Sequence, residues 1–254
     1  MHQMDLTEGV IWKKLILYAG PVVLSSLLQS AYSITDLIVA GWFIGKDGIS
    51  AINNASQVMM ILTQIIMGIT TGGNILMGQY FGSKDRSNRV KTNRTMFGFA
   101  LSAGALLSVL LFLLSHPILA SLRAPALEEA TAYLQVCSAG LIAIFGYNAL
   151  AAMLRSVGNS KQPFYCVAVT AGCNIALDCL FMGGFRWGVR GAALATVLAQ
   201  WASFVVCLVY VLRHRDLFGL VWRQISFHKD KMVQILKLGI PCAVQMTVVG
   251  LSWL

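Results

Sequence analysis

Charge is scarce in this sequence: only 11% of its 254 residues are Asp, Glu, Lys or Arg, whereas soluble domains carry about 25%. A soluble protein of this length could not cover its surface with so few charges. Hydrophobic residues make up 57% of the chain, and the mean hydropathy is +0.71. The shortage of charge excludes an ordinary cytosolic enzyme, a disordered chain and a secreted disulfide module. It predicts an all-α membrane protein with a polytopic helical bundle.

Several chemical patterns are also missing. The six cysteines lie inside apolar runs and form neither a CxxC pair nor a Cys–His cluster, so we interpret them as small apolar side chains in helices. There is no Ser–His–Asp set, no histidine cluster with metal-ligand spacing and no nucleotide-binding loop, so we predict no enzyme activity and no cofactor. The 19 Lys and Arg lie in short segments between apolar runs, and we therefore expect no nucleic-acid partner.

Long apolar runs are the dominant feature of the sequence. A helix that crosses a bilayer needs about 20 mostly apolar residues, because no water satisfies its backbone inside the hydrocarbon. Seven segments qualify as candidate spans, and their predicted bounds are Leu15–Phe43, Ala51–Phe81, Met96–Leu119, Ala130–Leu154, Phe164–Gly183, Gly191–Leu212 and Met232–Leu254.

The distribution of Lys and Arg among the loops predicts the orientation. With a cytoplasmic N-terminus, fifteen of the 19 basic residues fall in inside segments, and the four outside are Lys46, Arg123, Arg186 and Arg190. Because basic residues accumulate on the cytoplasmic side of membrane proteins, we predict that the N-terminus is cytoplasmic.

The seventh segment is similar to the beginning of the first. Residues 11–21 align with residues 231–241 at a constant offset of 220, and each stretch has a short polar lead-in followed by a proline that enters the span. Repeats of this kind are typical of transporters. We therefore interpret residues 1–225 as a six-helix lobe and residues 226–254 as the cut-off start of a second, homologous lobe. The chain is then a fragment of a longer gene product, which we favour, or a half-transporter that pairs with another chain.

Two of the ten acidic residues lie inside spans, Asp36 in the first and Asp178 in the fifth. A charged aspartate at the bilayer centre costs about 2.5–3.5 kcal/mol, so it normally faces a protein interior or a wet cavity. At a rise of about 1.5 Å per residue, both aspartates fall in the outer half of the membrane, where they can share a cavity open to the outside. Asn174 lies one helical turn before Asp178, so a carboxylate and an amide together offer oxygen ligands to a cation or a site for a proton. The alternative is that both aspartates are helix-end residues that reach the outer headgroups.

The first two spans also contain residues that shape helices. Pro21 removes a helical hydrogen bond and is expected to kink the first span, as a moving hinge or as a static bend. Gly68 and Gly72 are expected to let helices pack closely. We interpret four methionines of the second span as core or lipid contacts rather than the lining of an adaptable cavity: Met59, Met60, Met67 and Met77.

A series of short motifs follows along nearly the whole chain: Asp5–Leu15, Pro21, Thr35–Gly41, Gly78–Lys84, Met153–Pro163, Asn174–Asp178 and Gly188–Thr196. Together these motifs resemble the multidrug and toxic compound extrusion (MATE) family. The resemblance implies a twelve-helix transporter with two six-helix lobes, of which this chain is the N-terminal lobe plus a cut-off seventh helix. It also implies a drug and organic-cation antiporter of the bacterial inner membrane, with export coupled to inward Na⁺ or H⁺.

The resemblance further implies a cation site. Family members build this site from an acidic residue on each of the first and fifth helices and from polar residues on the fourth, fifth and sixth. Carried over residue by residue, these positions are Asp36, Asp178, Asn174, Thr196, Tyr133 and Asn148. Pro21 matches a proline at which the first helix has been proposed to bend. The implied partners are small organic cations, the lipid bilayer and the missing C-terminal lobe, and the site holds no metal other than Na⁺.

Three other functions remain open. A flippase for lipid-linked oligosaccharides, from the same larger superfamily, is expected to have cationic residues facing its cavity, whereas no Lys or Arg lies deep within the first six spans. A non-transporting seven-helix receptor or sensor is expected to have a complete seventh helix and a tail, and the sequence stops at Leu254. An inactive fragment is expected to expose its apolar lobe interface.

Overall fold

The computed structural model of the chain describes residues 11–220 and 226–251. These residues form helices joined by short turns, and no strand occurs within the two ranges. In chain order the helices are α1 (Ile11–Phe43), α2 (Gly45–Gly82), α3 (Arg86–Ser121), α4 (Leu127–Ser138), α5 (Leu141–Ser156), α6 (Lys161–Asp178), α7 (Gly188–Arg213), α8 (Arg215–Phe218) and α9 (Lys229–Leu251). A π-helical turn, Cys179–Gly184, continues α6. Residues 5–10 of the first motif, the predicted lobe boundary at residue 225 and residue 254 lie outside the described ranges.

The helices have the lengths and compositions of membrane spans. Six of them are long and apolar enough to cross a membrane, and α4 and α5 form a seventh span when they are taken together. These findings confirm the predicted polytopic helical bundle. The segment Ala130–Leu154 differs from the prediction of one continuous apolar helix, because it is bent by 48° between α4 and α5.

Contacts with α7 explain this bend. Gly140 lies at the break, and an added Cβ atom there would overlap the Gln200 side chain of α7. The Gly140 N–H donates to the Cys137 carbonyl at 2.9 Å, which is a tighter turn than an α-helix makes. The indole N–H of Trp201 donates to the Ala139 carbonyl at 3.3 Å. Side chains of α7 therefore occupy the space and satisfy a carbonyl at the point where the span is interrupted.

The buried core lies mainly among α2, α3, α4, α5 and α7. In contrast, α1 is peripheral: 6% of its most apolar stretch is buried, compared with 44% for α7. Large apolar side chains such as Leu24, Leu27 and Trp42 are exposed on α1. Among the candidate spans of the described ranges, α1 is thus the least enclosed by its neighbours.

One end of the bundle gathers the basic segments, and we call it the basic end. Four side chains from the first turns of α3 donate hydrogen bonds to four consecutive carbonyls between α7 and α9. The pairs are Arg86 with Asp216 (3.0 Å), Arg89 with Leu217 (3.0 Å), Asn93 with Phe218 (2.7 Å) and Arg94 with Gly219 (3.0 Å). The turn between α5 and α6 lies at the same end, where Asn159 donates to the Tyr210 hydroxyl at 3.2 Å. The connections assigned to one side of the membrane therefore meet at one end of the bundle.

The backbones of α2 and α9 are in direct contact. An added Cβ atom at Gly68 would overlap the backbone of Ala243, and one at Gly72 would overlap the backbone of Gly239. Gly239 in turn faces the backbone of Ile69, where an added Cβ atom would come within 2.8 Å. The predicted role of Gly68 and Gly72 in close helix packing is confirmed.

Replacing Gly72 with alanine is expected to destabilise the protein by about 1–3 kcal/mol, because the new methyl group overlaps the backbone of α9. Gly172→Ala on α6 is the matched control, since an added Cβ atom there has nothing within 4 Å. The control is expected to leave the melting temperature unchanged or slightly higher. Thermal unfolding of the purified protein in detergent measures both effects, and equal melting temperatures for the two variants would contradict this packing.

Candidate functional site

A cavity of about 1120 Å³ lies among α1, α2, α4, α5, α6, α7 and α9. Its wall extends from Asp36 on α1 to Arg155 and Ser160 at the basic end. The wall carries both polar and apolar side chains, which is the composition expected of a site that binds small molecules.

The two intramembrane aspartates meet beside this cavity. Asp36 is half-buried and lines the cavity, whereas Asp178 is fully buried as the last residue of α6. Their carboxyl groups are close enough to form a hydrogen bond when one of them is protonated. No donor among the described residues reaches either carboxyl oxygen of Asp178 or the Oδ1 of Asp36. Asp178 therefore has the carboxyl group of Asp36, or a bound cation, as its available partner within the described part of the chain.

Three polar side chains lie near the acidic pair. The Asn174 amide nitrogen of α6 donates to the Thr196 hydroxyl of α7 at 3.5 Å, and the Asn174 amide oxygen is buried without a donor among the described residues. Tyr133 of α4 lies within electrostatic range of Asp36, and its hydroxyl lies beside that of Thr196. The structure thus brings together five of the predicted site residues: Asp36, Asp178, Asn174, Thr196 and Tyr133.

This arrangement concentrates acceptor oxygens in an apolar bundle. A buried polar group that lacks a partner costs about 1–3 kcal/mol, and a charged one costs more. Two adjacent carboxylates also repel each other. A proton on the pair, or a small cation coordinated by the carboxyl and amide oxygens, removes both penalties.

The helix geometry changes directly after Asp178. The α-helical part of α6 ends at this residue, and the π-helical turn Cys179–Gly184 follows it. Within this turn Gly183 packs against α1, because an added Cβ atom there would come within 2.9 Å of the Phe43 ring. Wide turns of this kind are common at functional sites. Here the turn packs the end of α6 against α1, the helix that carries Asp36.

Two further predicted residues have neighbours of their own. Asn148 lines the cavity from α5, and its amide nitrogen donates to the Ile144 carbonyl at 2.8 Å. Pro21 lies inside α1, which continues as a helix on both sides of it. The Ser25 hydroxyl donates to the Pro21 carbonyl at 2.7 Å. Asn148 is therefore part of the cavity wall, and Pro21 is part of the helix that carries Asp36.

Two polar residues of the site escaped the sequence reasoning. Ser56 of α2 lies beside the Tyr133 hydroxyl, and nothing in its local sequence distinguishes it from a surface serine. Gln200 of α7 lines the cavity with its Oε1 buried and without a partner in the described part of the chain. Its position one turn after Thr196 was a usable signal, because residues four apart share a helical face.

The cavity lining also corrects one interpretation. Of the four methionines interpreted as core or lipid contacts, Met77 lies in the core, but three line the cavity: Met59, Met60 and Met67.

The segment Arg155–Pro163 forms a tight turn between α5 and α6, with Gly158 in the left-handed region at φ 77°. However, Arg155 and Ser160 of this turn also line the cavity, so the cavity does have a cationic side chain on its wall.

Residues 21–180, more than half of the chain, match a family model described as MatE. The chain belongs to the MatE family. This finding confirms the resemblance that the sequence motifs indicated. The matched range includes Pro21, Asp36, Asn174 and Asp178 of this MatE chain.

Curated relatives of this MatE chain include the probable multidrug resistance proteins YoeA and YpnP of Bacillus subtilis, each 29% identical to it. The alignments cover 95% and 98% of this chain but only 54% and 56% of those proteins. The multidrug export protein MepA of Staphylococcus aureus is 22% identical over 97% of this chain and 55% of its own length. This chain therefore spans about half the length of the curated relatives it matches.

Solved structures share the fold of this MatE chain. An outward-facing multidrug resistance MATE family transporter of the MOP superfamily matches with a TM-score of 0.89 and 22% identity over 97% of this chain and 55% of its own. An inward-facing one matches with a TM-score of 0.80 and 22% identity over 91% and 55%. A MOP superfamily transporter from Pyrococcus furiosus gives a TM-score of 0.89 and 22% identity over 97% and 55%. The predicted fold class is confirmed: the chain is an all-α membrane bundle that matches about half of the length of these transporter structures.

Asp36 is expected to react faster than Asp178 with dicyclohexylcarbodiimide, a hydrophobic reagent that modifies protonated carboxyl groups. The reason is that Asp36 lines the cavity, whereas Asp178 has no exposed surface. Peptide mass spectrometry measures the modification at each residue. Asp216 is the control, because its side chain is exposed at the basic end, outside the candidate spans, where a hydrophobic reagent has little access, so it should stay unmodified. Modification confined to Asp178 would contradict this arrangement.

Proposed function

We propose that this chain is the cation-coupled lobe of a secondary active antiporter that exports drugs or other organic cations. The observation that carries the proposal is the pair Asp36 and Asp178, which lies inside a membrane-spanning bundle beside a large cavity. In a bundle of this kind, paired intramembrane acids normally belong to an ion or proton pathway.

Coupling follows from the oxygen cluster. When Na⁺ or H⁺ binds, it interacts with carboxyl and amide oxygens for which the described residues supply no donor, namely those of Asp36, Asp178 and Asn174. Bound cation therefore stabilises the arrangement in which α1 and α6 lie together. If a second arrangement of the lobe separates them, the cation shifts the balance between the two states. Suppose that a drug binds more tightly to that second state. By thermodynamic linkage, the drug and the coupling cation then weaken each other's binding.

Pro21 fits this mechanism as a hinge. It lies in α1, fifteen residues before Asp36, and lacks the N–H that a helix interior normally uses. Because α1 is less enclosed than the other spans, movement of this helix disrupts little of the core. We therefore propose that α1 is the element that responds when the acidic pair gains or loses its cation.

The exported compounds are proposed from the relatives and from the cavity. YoeA, YpnP and MepA are described as multidrug resistance or export proteins. Flexible methionine side chains line the cavity of this chain, and such side chains accommodate varied apolar shapes. Small organic cations that carry an apolar body are the substrates that this wall and the acidic pair favour.

The domain organisation is also part of the proposal. Residues 1–225 form the first lobe, and residues 226–254 begin a second, homologous lobe. Support comes from the Pro21 and Pro241 stretches, which are similar in sequence and both lie inside long helices. The proposed partner is accordingly a C-terminal lobe, supplied by the same gene product or by another chain.

Removing either acid is expected to abolish export. Asp36→Asn and Asp178→Asn keep the shape of the side chain but remove the negative charge that the coupling cation needs. Efflux of a fluorescent organic cation from energised cells that express the gene measures the effect. We expect accumulation at the level of cells without the transporter.

Asp216→Asn is the matched control, because this exposed aspartate of α8 lies at the basic end, away from the acidic pair. It should export like the wild type. Normal export by both Asp36→Asn and Asp178→Asn would exclude this coupling mechanism.

We further propose a bacterial plasma membrane location with a cytoplasmic N-terminus, so that the basic end faces the cytoplasm. The test uses Glu129→Cys at the start of α4 and Lys91→Cys near the start of α3, both exposed positions, in a background in which Cys173, Cys179 and Cys242 are replaced by serine. In intact cells a membrane-impermeant maleimide should label only Glu129→Cys. Labelling of Lys91→Cys alone would reverse the proposed orientation.

A further inference from the structure

A cationic side chain at the basic end of the cavity has no acidic partner among the described residues. Arg155, in the last turn of α5, is half-buried and lines the cavity. Among the described residues the ion pair present is Lys231 with Asp230, at 3.7 Å, and no acidic side chain pairs with Arg155. The carboxyl end of α5 compensates only about half of one charge. The side chains within electrostatic range of the guanidinium include the tyrosines Tyr18 and Tyr147, which are neutral.

A second polar group at this end, the Ser160 hydroxyl, also has no hydrogen-bond partner among the described residues. Ser160 is 2% exposed and lines the cavity, and its hydroxyl has no hydrogen-bond partner in the described ranges. Ser160 occupies the N-cap position of α6, but its side chain does not cap the helix. The carboxamide oxygen of Asn159 instead accepts from the Gln162 backbone N–H at 3.2 Å. The Ser160 hydroxyl is therefore free to donate to a ligand.

The α6 helix adds a third source of positive potential. It begins at Lys161, directly after Ser160, and runs for 18 residues. Its amino end therefore carries the positive end of the helix dipole, about half of one elementary charge, at this part of the cavity wall. A helix amino end, a guanidinium and a buried hydroxyl, the last two without a partner in the described part of the chain, together form the usual chemistry of an oxyanion site.

The turn that carries these groups is held in place. The Tyr18 hydroxyl donates to the Arg155 carbonyl at 3.2 Å, and Asn159 donates to the Tyr210 hydroxyl at 3.2 Å. Tyr147 donates to the Pro163 carbonyl at 3.2 Å. The turn is thus anchored to α1, α5 and α7, which fixes the backbone that carries Arg155 and Ser160 before any ligand arrives.

This site is distinct from the acidic pair. Tyr18, which contacts the Arg155 carbonyl, and Asp36 lie on the same helix. Eighteen residues separate the two, a helical distance of about 27 Å at a rise of about 1.5 Å per residue. The cavity therefore has an acidic end and, nearly a bilayer thickness away, a basic end.

We propose that Arg155, Ser160 and the amino end of α6 bind an anionic oxygen group, a carboxylate or a phosphate, at the basic end of the cavity. The group belongs to a transported solute or to the headgroup of an anionic lipid. In the first case the inference extends the proposed export function and rests on it. The favoured substrates are then amphoteric molecules that carry a carboxylate or phosphate besides their cationic group.

The test compares two dyes that differ in one carboxylate. Rhodamine B carries a free carboxylate on a cationic ring system, and its ethyl ester masks that group. Fluorescence anisotropy measures the binding of each dye to the purified protein in nanodiscs, with empty nanodiscs subtracted. Arg155→Gln should weaken binding of rhodamine B about tenfold, because it removes a charge-assisted interaction, and should leave binding of the ester unchanged. Ser160→Ala should weaken rhodamine B about threefold.

Arg213→Gln is the matched control: it removes an exposed arginine from the last turn of α7, outside the cavity wall, and should bind both dyes like the wild type. Arg155→Lys should recover part of the rhodamine B affinity. Unchanged ester binding verifies that each variant is folded. If Arg155→Gln does not fold, Ser160→Ala decides, and its wild-type affinity for rhodamine B would overturn the proposal.

Lipid composition separates the two sources of the anion. If a lipid headgroup occupies the site, adding phosphatidylglycerol to phosphatidylcholine nanodiscs should weaken rhodamine B binding to the wild type. The same addition should not weaken binding to Arg155→Gln. If the site instead binds a transported solute, phosphatidylglycerol should leave rhodamine B binding unchanged. Equal rhodamine B affinity of wild type and Arg155→Gln in both lipids would overturn the proposal. This binding difference does not depend on export, so failure of the Asp36 and Asp178 variants to affect efflux would leave it intact.

Discussion

Buried oxygen atoms that find no hydrogen-bond donor within residues 11–220 and 226–251 are the feature on which the rest of this structure depends. Asp36, Asp178 and Asn174 present such oxygens to one another inside an apolar bundle. A stable core would normally exclude this grouping, because unpaired acceptors and adjacent carboxylates both raise the free energy of the folded state. The grouping is tolerable when a proton or small cation joins it. This dependence makes the bundle sensitive to the cation and gives the proposed antiport its physical basis.

The remaining helices surround the two helices of the acidic pair, α1 and α6, to different extents. Close backbone contact between α2 and α9, and the hydrogen bonds from α3 to the carbonyls before α9, fix one side of the bundle. The bend between α4 and α5 packs Gly140 against Gln200 of α7, and α4 and α7 carry Tyr133 and Thr196. By contrast, α1 contributes little to the core. Asp178 therefore lies fully buried on a more enclosed span, whereas Asp36 lies on the least enclosed of the described spans.

Much of this architecture is predictable from the sequence, because a bilayer imposes simple rules on length and polarity. Apolar runs gave the spans, and the rarity of acids inside them identified Asp36 and Asp178. The bend at Gly140 was not predictable, since it depends on Gln200 and Trp201 approaching from another helix. The sequence also did not predict that Met59 and Arg155 line the cavity, because this too depends on how other helices pack around them. Helical periodicity places residues on a face but does not tell which face borders a cavity.

The most informative measurement is the melting temperature of the purified protein as a function of Na⁺ concentration and pH, compared with that of Asp178→Asn. A ligand that binds only the folded state stabilises that state. Once the ligand concentration exceeds the dissociation constant, the free energy of unfolding rises with the logarithm of the ligand concentration. The wild type should therefore melt at a higher temperature as either Na⁺ or H⁺ increases, with K⁺ as the control for ionic strength. Asp178→Asn should lose that response. Identical responses of the two proteins to Na⁺ and to pH would contradict the assignment of the acidic pair as the cation site.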